Sequence, residues 1–250
     1  MVLTFEGSGE IPDDFIANAP DELKAYLDQI GEIRIPSGVE TIGESAFEGL
    51  GGFITLTIEE NSDLTIIGKN AFKGCSDLQK VVFEGENNSL ITIDDGAFYN
   101  CTALTSVNLE SCRALRFIGT ETCAPDTYLL PDGIYATEVR AYTFGNTALT
   151  QIKIPSSVEK IGSACFLNTR LSTVDFEENI NLHYIGTRAV PPLFIVLHIG
   201  RSEYSSLRYI SGITAFRASI CSCDAFGALI LIESSDLFNI ISLNLSTIGL

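Results

Sequence analysis

The residues of this sequence equipped for chemistry are seven cysteines, two histidines and a recurring set of acidic pairs. Seven thiols raise zinc and disulfide chemistry. A zinc site needs two ligand pairs at short spacing, and Cys221-x-Cys223 has no histidine or second pair at that spacing beside it. An odd cysteine count without paired spacing does not build a disulfide framework. Cys75 and Cys101 recur at one phase of a pattern, Cys165 replaces an alanine of that pattern and Cys123 a phenylalanine. All four are therefore read as small buried residues. His183 and His198 belong to no Ser/His/Asp, Cys/His or His-x-x-x-His arrangement, and no glycine-rich phosphate loop is present. His183 is expected on a surface strand. No catalytic residue, metal ligand or cofactor is assigned.

The acids are phased. Glu59-Glu60-Asn61, Glu84-Gly85-Glu86-Asn87 and Glu177-Glu178-Asn179 each follow a strand-like segment. Stacked carboxylates raise a calcium site, since that ion takes several carboxylate and carbonyl oxygens. The favoured alternative is a solvated edge that keeps the molecule soluble. Asn87-Asn88-Ser89, Asn100-Cys101-Thr102 and Asn244-Leu245-Ser246 fit the glycosylation pattern, which carries little weight without a signal peptide beside it.

What must position these groups is a repeat. Ile42-Gly43-Glu44-Ser45-Ala46-Phe47 returns as Ile67–Phe72 and Ile93–Phe98, with looser copies ending at Cys123, Phe144, Phe166, Val190 and Phe216. The spacing between ends is 25, 26, 25, 21, 22, 24 and 26 residues, within the leucine-rich-repeat range. A second phase recurs as Leu78-x-x-Val81-x-Phe83, Leu104-x-x-Val107-x-Leu109, Leu149-x-x-Ile152-x-Ile154 and Leu171-x-x-Val174-x-Phe176. Apolar residues alternating with polar ones predict two short strands per repeat. The Ala-Phe-x-x-Cys piece is too short for a stable helix and predicts one helical turn at a corner. Gly43, Gly68, Gly119, Gly162 and Gly186 are expected at bends that need positive φ. Residues 1–30 are read as an N-terminal cap, with Leu23, Tyr26, Leu27 and Ile30 on one helical face of Pro20–Ile30. Repeats occupy 31–190, and 191–250 is degenerate repeats or a C-terminal cap.

Composition narrows the function. Lys+Arg 15 against Asp+Glu 32 gives a net charge of −17, and residues 1–100 alone hold 19 acids and 5 bases. Nucleic-acid binding requires clustered cations, so it is excluded, and an anionic membrane surface is disfavoured for the same reason. No window approaches a membrane-spanning length of apolar residues. The N-terminus has neither a basic start nor a signal-length apolar run.

The units Val39-x-x-Ile42-Gly-x-x-Ala-Phe, Ile35-Pro36 and Ile154-Pro155, joined to Cys75-x-x-Leu-x-x-Val81 and Cys101-x-x-Leu-x-x-Val107, resemble the BspA-type leucine-rich repeat. The resemblance covers about residues 31–190. It implies a right-handed, mainly β solenoid used for protein binding and adhesion, without a catalytic centre, at the cell surface or secreted, with a host or matrix protein as partner. A cytoplasmic location is the alternative.

In such a stack the outward positions of the first strands form the candidate binding row: Arg34, Thr55, Thr57, Lys80, Ser106, Asn108, Gln151, Lys153, Thr173 and Asp175. Small polar residues dominate it, as in a broad contact sheet rather than a pocket. The second-strand row, Thr41, Ile66, Thr92, Phe117, Lys160, Tyr184 and Tyr209, becomes aromatic toward the C-terminus. It reads equally as interface anchors or as packing beneath the C-terminal segment. The leading expectation is a non-enzymatic binding module. The alternatives are an intracellular scaffold or regulatory repeat protein and, third, a calcium-dependent or carbohydrate-processing protein.

Overall fold

Each repeat contributes two strands too short to bury their own apolar edges, so neighbouring turns must supply the missing wall. The computed structural model describes residues 1–86, 89–120, 141–177, 181–186 and 189, together with the backbone of short strands beyond them. In chain order the strands are β1 (Val2–Thr4), β2 (Gly9–Ile11), β3 (Glu32–Ile35), β4 (Val39–Ile42), β5 (Thr55–Ile58), β6 (Ile66–Ile67) and β7 (Lys80–Phe83). There follow β8 (Thr92–Ile93), β9 (Ser106–Val107), β10 (Phe117–Ile118), β11 (Tyr128–Leu129), β12 (Tyr135–Ala136), β13 (Gln151–Ile154) and β14 (Lys160–Ile161). The last are β15 (Thr173–Phe176), β16 (Tyr184–Ile185), β17 (Ile195–Leu197), β18 (Tyr209–Ile210), β19 (Phe216–Ala218) and β20 (Ile230–Ile232).

First strands stack in parallel as β1-β3-β5-β7-β9 and, after a break, as β13-β15-β17. Second strands form one continuous parallel sheet, β2-β4-β6-β8-β10-β14-β16-β18. Two rows of parallel strands, one residue phase per row, are what the repeated apolar spacing requires.

The core is built from identical residues lying over one another. Phe47, Phe72, Phe98, Phe144 and Phe166 form a ring column with centroids 5.0, 5.4, 5.2 and 5.6 Å apart and planes within 8° of parallel. Strand spacing in a sheet is about 4.8 Å, so hydrogen-bonding the turns brings the rings to stacking distance. Phe5 and Phe15 close the N-terminal end, Phe5 edge-on to Phe47 at 6.0 Å and 79° and Phe15 tilted against it at 5.8 Å and 59°. Leu56, Val81, Leu78, Leu104, Ile67 and Ile93 fill the remaining interior with no exposed surface beyond 1%.

Two sequence-level expectations change here. Ile118, which opens the copy the spacing ends at Cys123, and Phe144 belong to one turn. Gly96 N–H donates to the Ala141 carbonyl and Phe98 N–H to that of Thr143, while β10 pairs directly with β14. Phe144 therefore occupies the slot the spacing gave to Cys123, which itself lies outside the described residues, and β11 pairs antiparallel with β12. The cap is also less helical than its pattern predicts. An α-helix covers only Asp21–Lys24 and a 3-10 turn Leu27–Gln29, whereas β1 and β2 pair in register with β3 and β4. Residues 1–30 thus form a full solenoid turn, because Ile11 to Ile16 hydrogen-bond to the chain as each later corner does to its neighbour.

The bend glycines are required mostly by close approach. Of the five predicted to need positive φ, only Gly119 has it, at 72°. A Cβ at Gly68 would sit 2.6 Å from the Ile42 carbonyl oxygen. At Gly119 it would meet the Ala141 Cβ at 2.4 Å as well. Gly119→Ala is accordingly expected to cost about 2 to 4 kcal/mol, combining left-handed strain with overpacking. Gly31→Ala, whose nearest neighbour is 3.8 Å away, is expected to stay within about 1 kcal/mol of wild type. Urea denaturation of the two variants measures the contrast.

Candidate functional site

The first-strand sheet brings the expected binding row into register in two blocks. Glu32, Thr55, Lys80 and Ser106 lie side by side across β3, β5, β7 and β9, and Arg34, Thr57 and Val82 form the next row. Gln151 pairs with Thr173 and Lys153 with Asp175 across β13 and β15. Lys80, Ser106, Gln151, Lys153 and Thr173 are exposed, whereas Arg34, Thr55, Asn108 and Asp175 are half-buried.

Thr57 is 4% exposed, although its register faces it outward. A network closes over it. Arg34 donates from Nη2 to Glu84 at 2.9 and 3.1 Å and from Nη1 to Glu32 at 3.1 Å, with Glu59 3.6 Å from its Nε. Thr57 Oγ1 donates to the same Glu32 carboxylate at 3.0 Å. The hydrogen bond to Glu84 is the main cause of a raised Arg34 pKa. Glu59 and Glu84, two of the phased acids, therefore converge on a guanidinium, and Glu177 accepts from Arg113 at 3.1 Å with Lys153 3.5 Å away. Among the described residues no group of three or more His, Cys, Asp or Glu side chains is arranged to hold a metal ion.

Asn108 accounts for the break between the blocks. Its Oδ1 accepts from Phe83 N–H at 2.9 Å and its Nδ2 donates to the Phe83 carbonyl at 3.0 Å. The side-chain amide replaces the backbone of the next strand residue, β9 stops after Val107, and a 3-10 turn, Leu109–Ser111, follows. The Asn108 amide is thereby turned to the sheet edge rather than free on the row. Lys80, Ser106, Gln151 and Thr173 side chains make no hydrogen bond or ion pair among the described residues.

The second-strand row is partly covered by its own cations. Arg116 lies 5.2 Å from the Phe117 ring and Lys160 Nζ 5.6 Å from the Tyr184 ring. Arg116 also forms a bidentate pair with Glu159, at 2.7 and 2.8 Å. Ile66 remains 39% exposed. Of Tyr209 only the backbone lies within the described residues.

Thiols and histidine sit where their phase places them. Cys75 Sγ donates to the Phe47 carbonyl, Cys101 to that of Phe72 and Cys165 to that of Ile118, at 3.1, 3.1 and 3.0 Å. Each thiol thus supplies an inter-turn hydrogen bond inside the core, and Cys112 is buried as well. Desolvation pushes the Cys165 thiol up to about 12 and Cys75 well above its ordinary value. His183 is exposed and beside β16, while Cys123, Cys221, Cys223 and His198 lie outside the described residues. No helix among the described residues is long and apolar enough to cross a membrane. A cleft of about 440 Å³ lined by Ile16, Leu27 and residues 48–52 contains the acids Asp28 and Glu48 but no histidine, cysteine or hydroxyl nucleophile.

Stacked two-strand turns with a phased Leu, Ile and Phe interior define a leucine-rich-repeat solenoid. The family model for the BspA type leucine rich repeat region, in six copies, matches residues 24–127 and 130–191, and the chain belongs to that family. No curated protein matches it. Similar solved structures include the leucine rich repeat protein of T. pallidum, at 22% identity and TM-score 0.42, covering 66% of this chain and 73% of that one. A leucine-rich repeat protein from Eubacterium ventriosum aligns at 19% identity and TM-score 0.42, covering 88% and 42%. The pneumococcal vaccine antigen PcpA aligns at 18% identity and TM-score 0.47, covering 71% and 49%. The chain thus spans less than half the length of the last two.

Two outcomes are expected. Iodoacetamide leaves Cys75, Cys101, Cys112 and Cys165 unmodified in the native protein and labels them in urea, read by mass spectrometry, because only the thiolate reacts and burial suppresses it. Glu159 is held below the usual carboxylate range by its Arg116 hydrogen bond, so its contribution is present above the unfolded pKa and lost as pH falls through the folded one. Glu159→Gln should therefore melt below wild type at neutral pH, with the gap closing below about pH 4.

Proposed function

We propose that this chain is a non-enzymatic protein-binding and adhesion module that presents its first-strand face to a partner protein. The observation that carries the reading is the pair of in-register exposed rows, Lys80 with Ser106 and Gln151 with Thr173, whose side chains the fold leaves uncommitted. A sheet of small polar and single-charge side chains offers many modest contacts over a broad area, which suits a macromolecular surface better than a small substrate. The thiols of Cys75, Cys101 and Cys165 donate to backbone carbonyls inside the core, and Cys112 is buried beside them. A surface or secreted location accompanies this reading through the family resemblance. Four buried free thiols favour a second reading, an intracellular scaffold in a reducing compartment. Fractionation of source cells with an antibody to the chain separates them.

An array of matrix and cell-surface proteins probed with wild type and with Ser106→Arg/Gln151→Arg tests the face. The double variant should lose at least about tenfold in affinity, or 1.4 kcal/mol, at unchanged melting temperature. Equal binding by both proteins contradicts the assignment.

A further inference from the structure

One corner of the solenoid gathers tyrosines and asparagines that the first-strand face does not use. Tyr99 and Tyr142 come from neighbouring turns, with ring centroids 5.1 Å apart and planes at 42°. Both are half-buried, so each ring keeps part of its surface in water. They meet over Gly145, where a Cβ would approach the Tyr99 ring to 3.2 Å and the Tyr142 ring to 3.3 Å. The absent side chain is what lets the two rings form a shallow V.

Beside them runs an amide ladder. Asn146 Nδ2 donates to Asn100 Oδ1 at 2.6 Å, and Asn168 Nδ2 donates to Asn146 Oδ1 at 3.0 Å. The ladder fixes three side chains whose backbones are all left-handed, at φ 62°, 58° and 57°. It leaves Asn100 Nδ2 and Asn168 Oδ1 without a partner among the described residues. One preorganised donor and one preorganised acceptor therefore stand at the two ends of the ladder.

Tyr142 adds an independent sign. Its φ is 49°, and the same corner position in other turns holds Ser45, Asn70, Gly96 and Ala164. Left-handed backbone disfavours a bulky side chain, so small residues or asparagine are the economical choice. A half-exposed aromatic residue held there against that preference marks strain at a site of use.

The chemistry of the strip fits a sugar. Pyranose rings present flat C–H faces that pack on tyrosine, and their equatorial hydroxyls both donate and accept at amides. Lys73, one turn before Tyr99, is paired with Glu48 at 2.9 Å. The geometry points to a binding strip for neutral oligosaccharide, with Tyr99 and Tyr142 as the stacking platform and the Asn100 and Asn168 amides as the hydroxyl readers. The site is separate from the Lys80–Thr173 rows, so either assignment can fail without the other.

The test titrates the full chain with cellohexaose, chitotetraose and maltohexaose, read by saturation-transfer NMR and tyrosine fluorescence. At least one is expected to bind, with Tyr99→Ala and Tyr142→Asn each weakening it about tenfold. Tyr142→Asn should keep or raise the melting temperature, because asparagine suits the left-handed backbone, whereas a merely structural tyrosine would lower it. Asn168→Ala, at an exposed position, should weaken binding several-fold with the fold intact. Failure of all three sugars to bind overturns the proposal. So does binding unaffected by the tyrosine variants, or occupation of the strip by a proline-rich peptide while the sugars remain unbound.

Discussion

The hydrogen bond between one turn and the next is the interaction on which the rest of this molecule depends. It sets a spacing near that of any parallel sheet, and every residue at a given phase must then tolerate an identical neighbour at that distance. Phenylalanine rings stack, leucine and isoleucine interlock, and cysteine thiols reach the carbonyl of the turn before. Glycine stands where a Cβ would strike the preceding backbone. Stability is consequently distributed as a chain of nearest-neighbour interfaces, with the rings of Phe5 and Phe15 ending the column on one side.

The same constraint separates structural polar groups from available ones. Glu59, Glu84 and Glu32 are brought together by stacking, and their mutual repulsion is relieved by a single guanidinium, Arg34. Asn108 uses its amide to complete the edge of β7. Among the described side chains that these requirements leave uncommitted are Lys80, Ser106, Gln151 and Thr173 on the first-strand face, and the amide ends of the asparagine ladder on a corner.

Most of the architecture was legible in the sequence because the period of a solenoid is written into its apolar phases. The Val-x-Phe and Ile-Gly-x-x-Ala-Phe segments became the two strand rows and the ring column, and Cys75, Cys101 and Cys165 became core residues as their phases required. Three features were hidden for physical reasons. Spacing counted the Cys123 and Phe144 copies as two turns, since intervals of 25 and 21 residues both read as one repeat each. Alternation placed Thr57 outward, but alternation cannot see a long side chain such as Arg34 folding across its neighbour. The left-handed tyrosine at 142 and the asparagine ladder follow from backbone geometry at the corners, where the sequence shows no periodicity of its own beyond the recurring Asn100, Asn146 and Asn168.

The ring column makes Phe98 and Phe144 direct stacking neighbours, as close in space as they are distant in sequence. A double-mutant cycle of Phe98→Ala and Phe144→Ala, followed by urea denaturation, tests it most directly. Stacked neighbours should show a coupling of about 0.5 to 1.5 kcal/mol between the two substitutions. Strictly additive losses would contradict their contact.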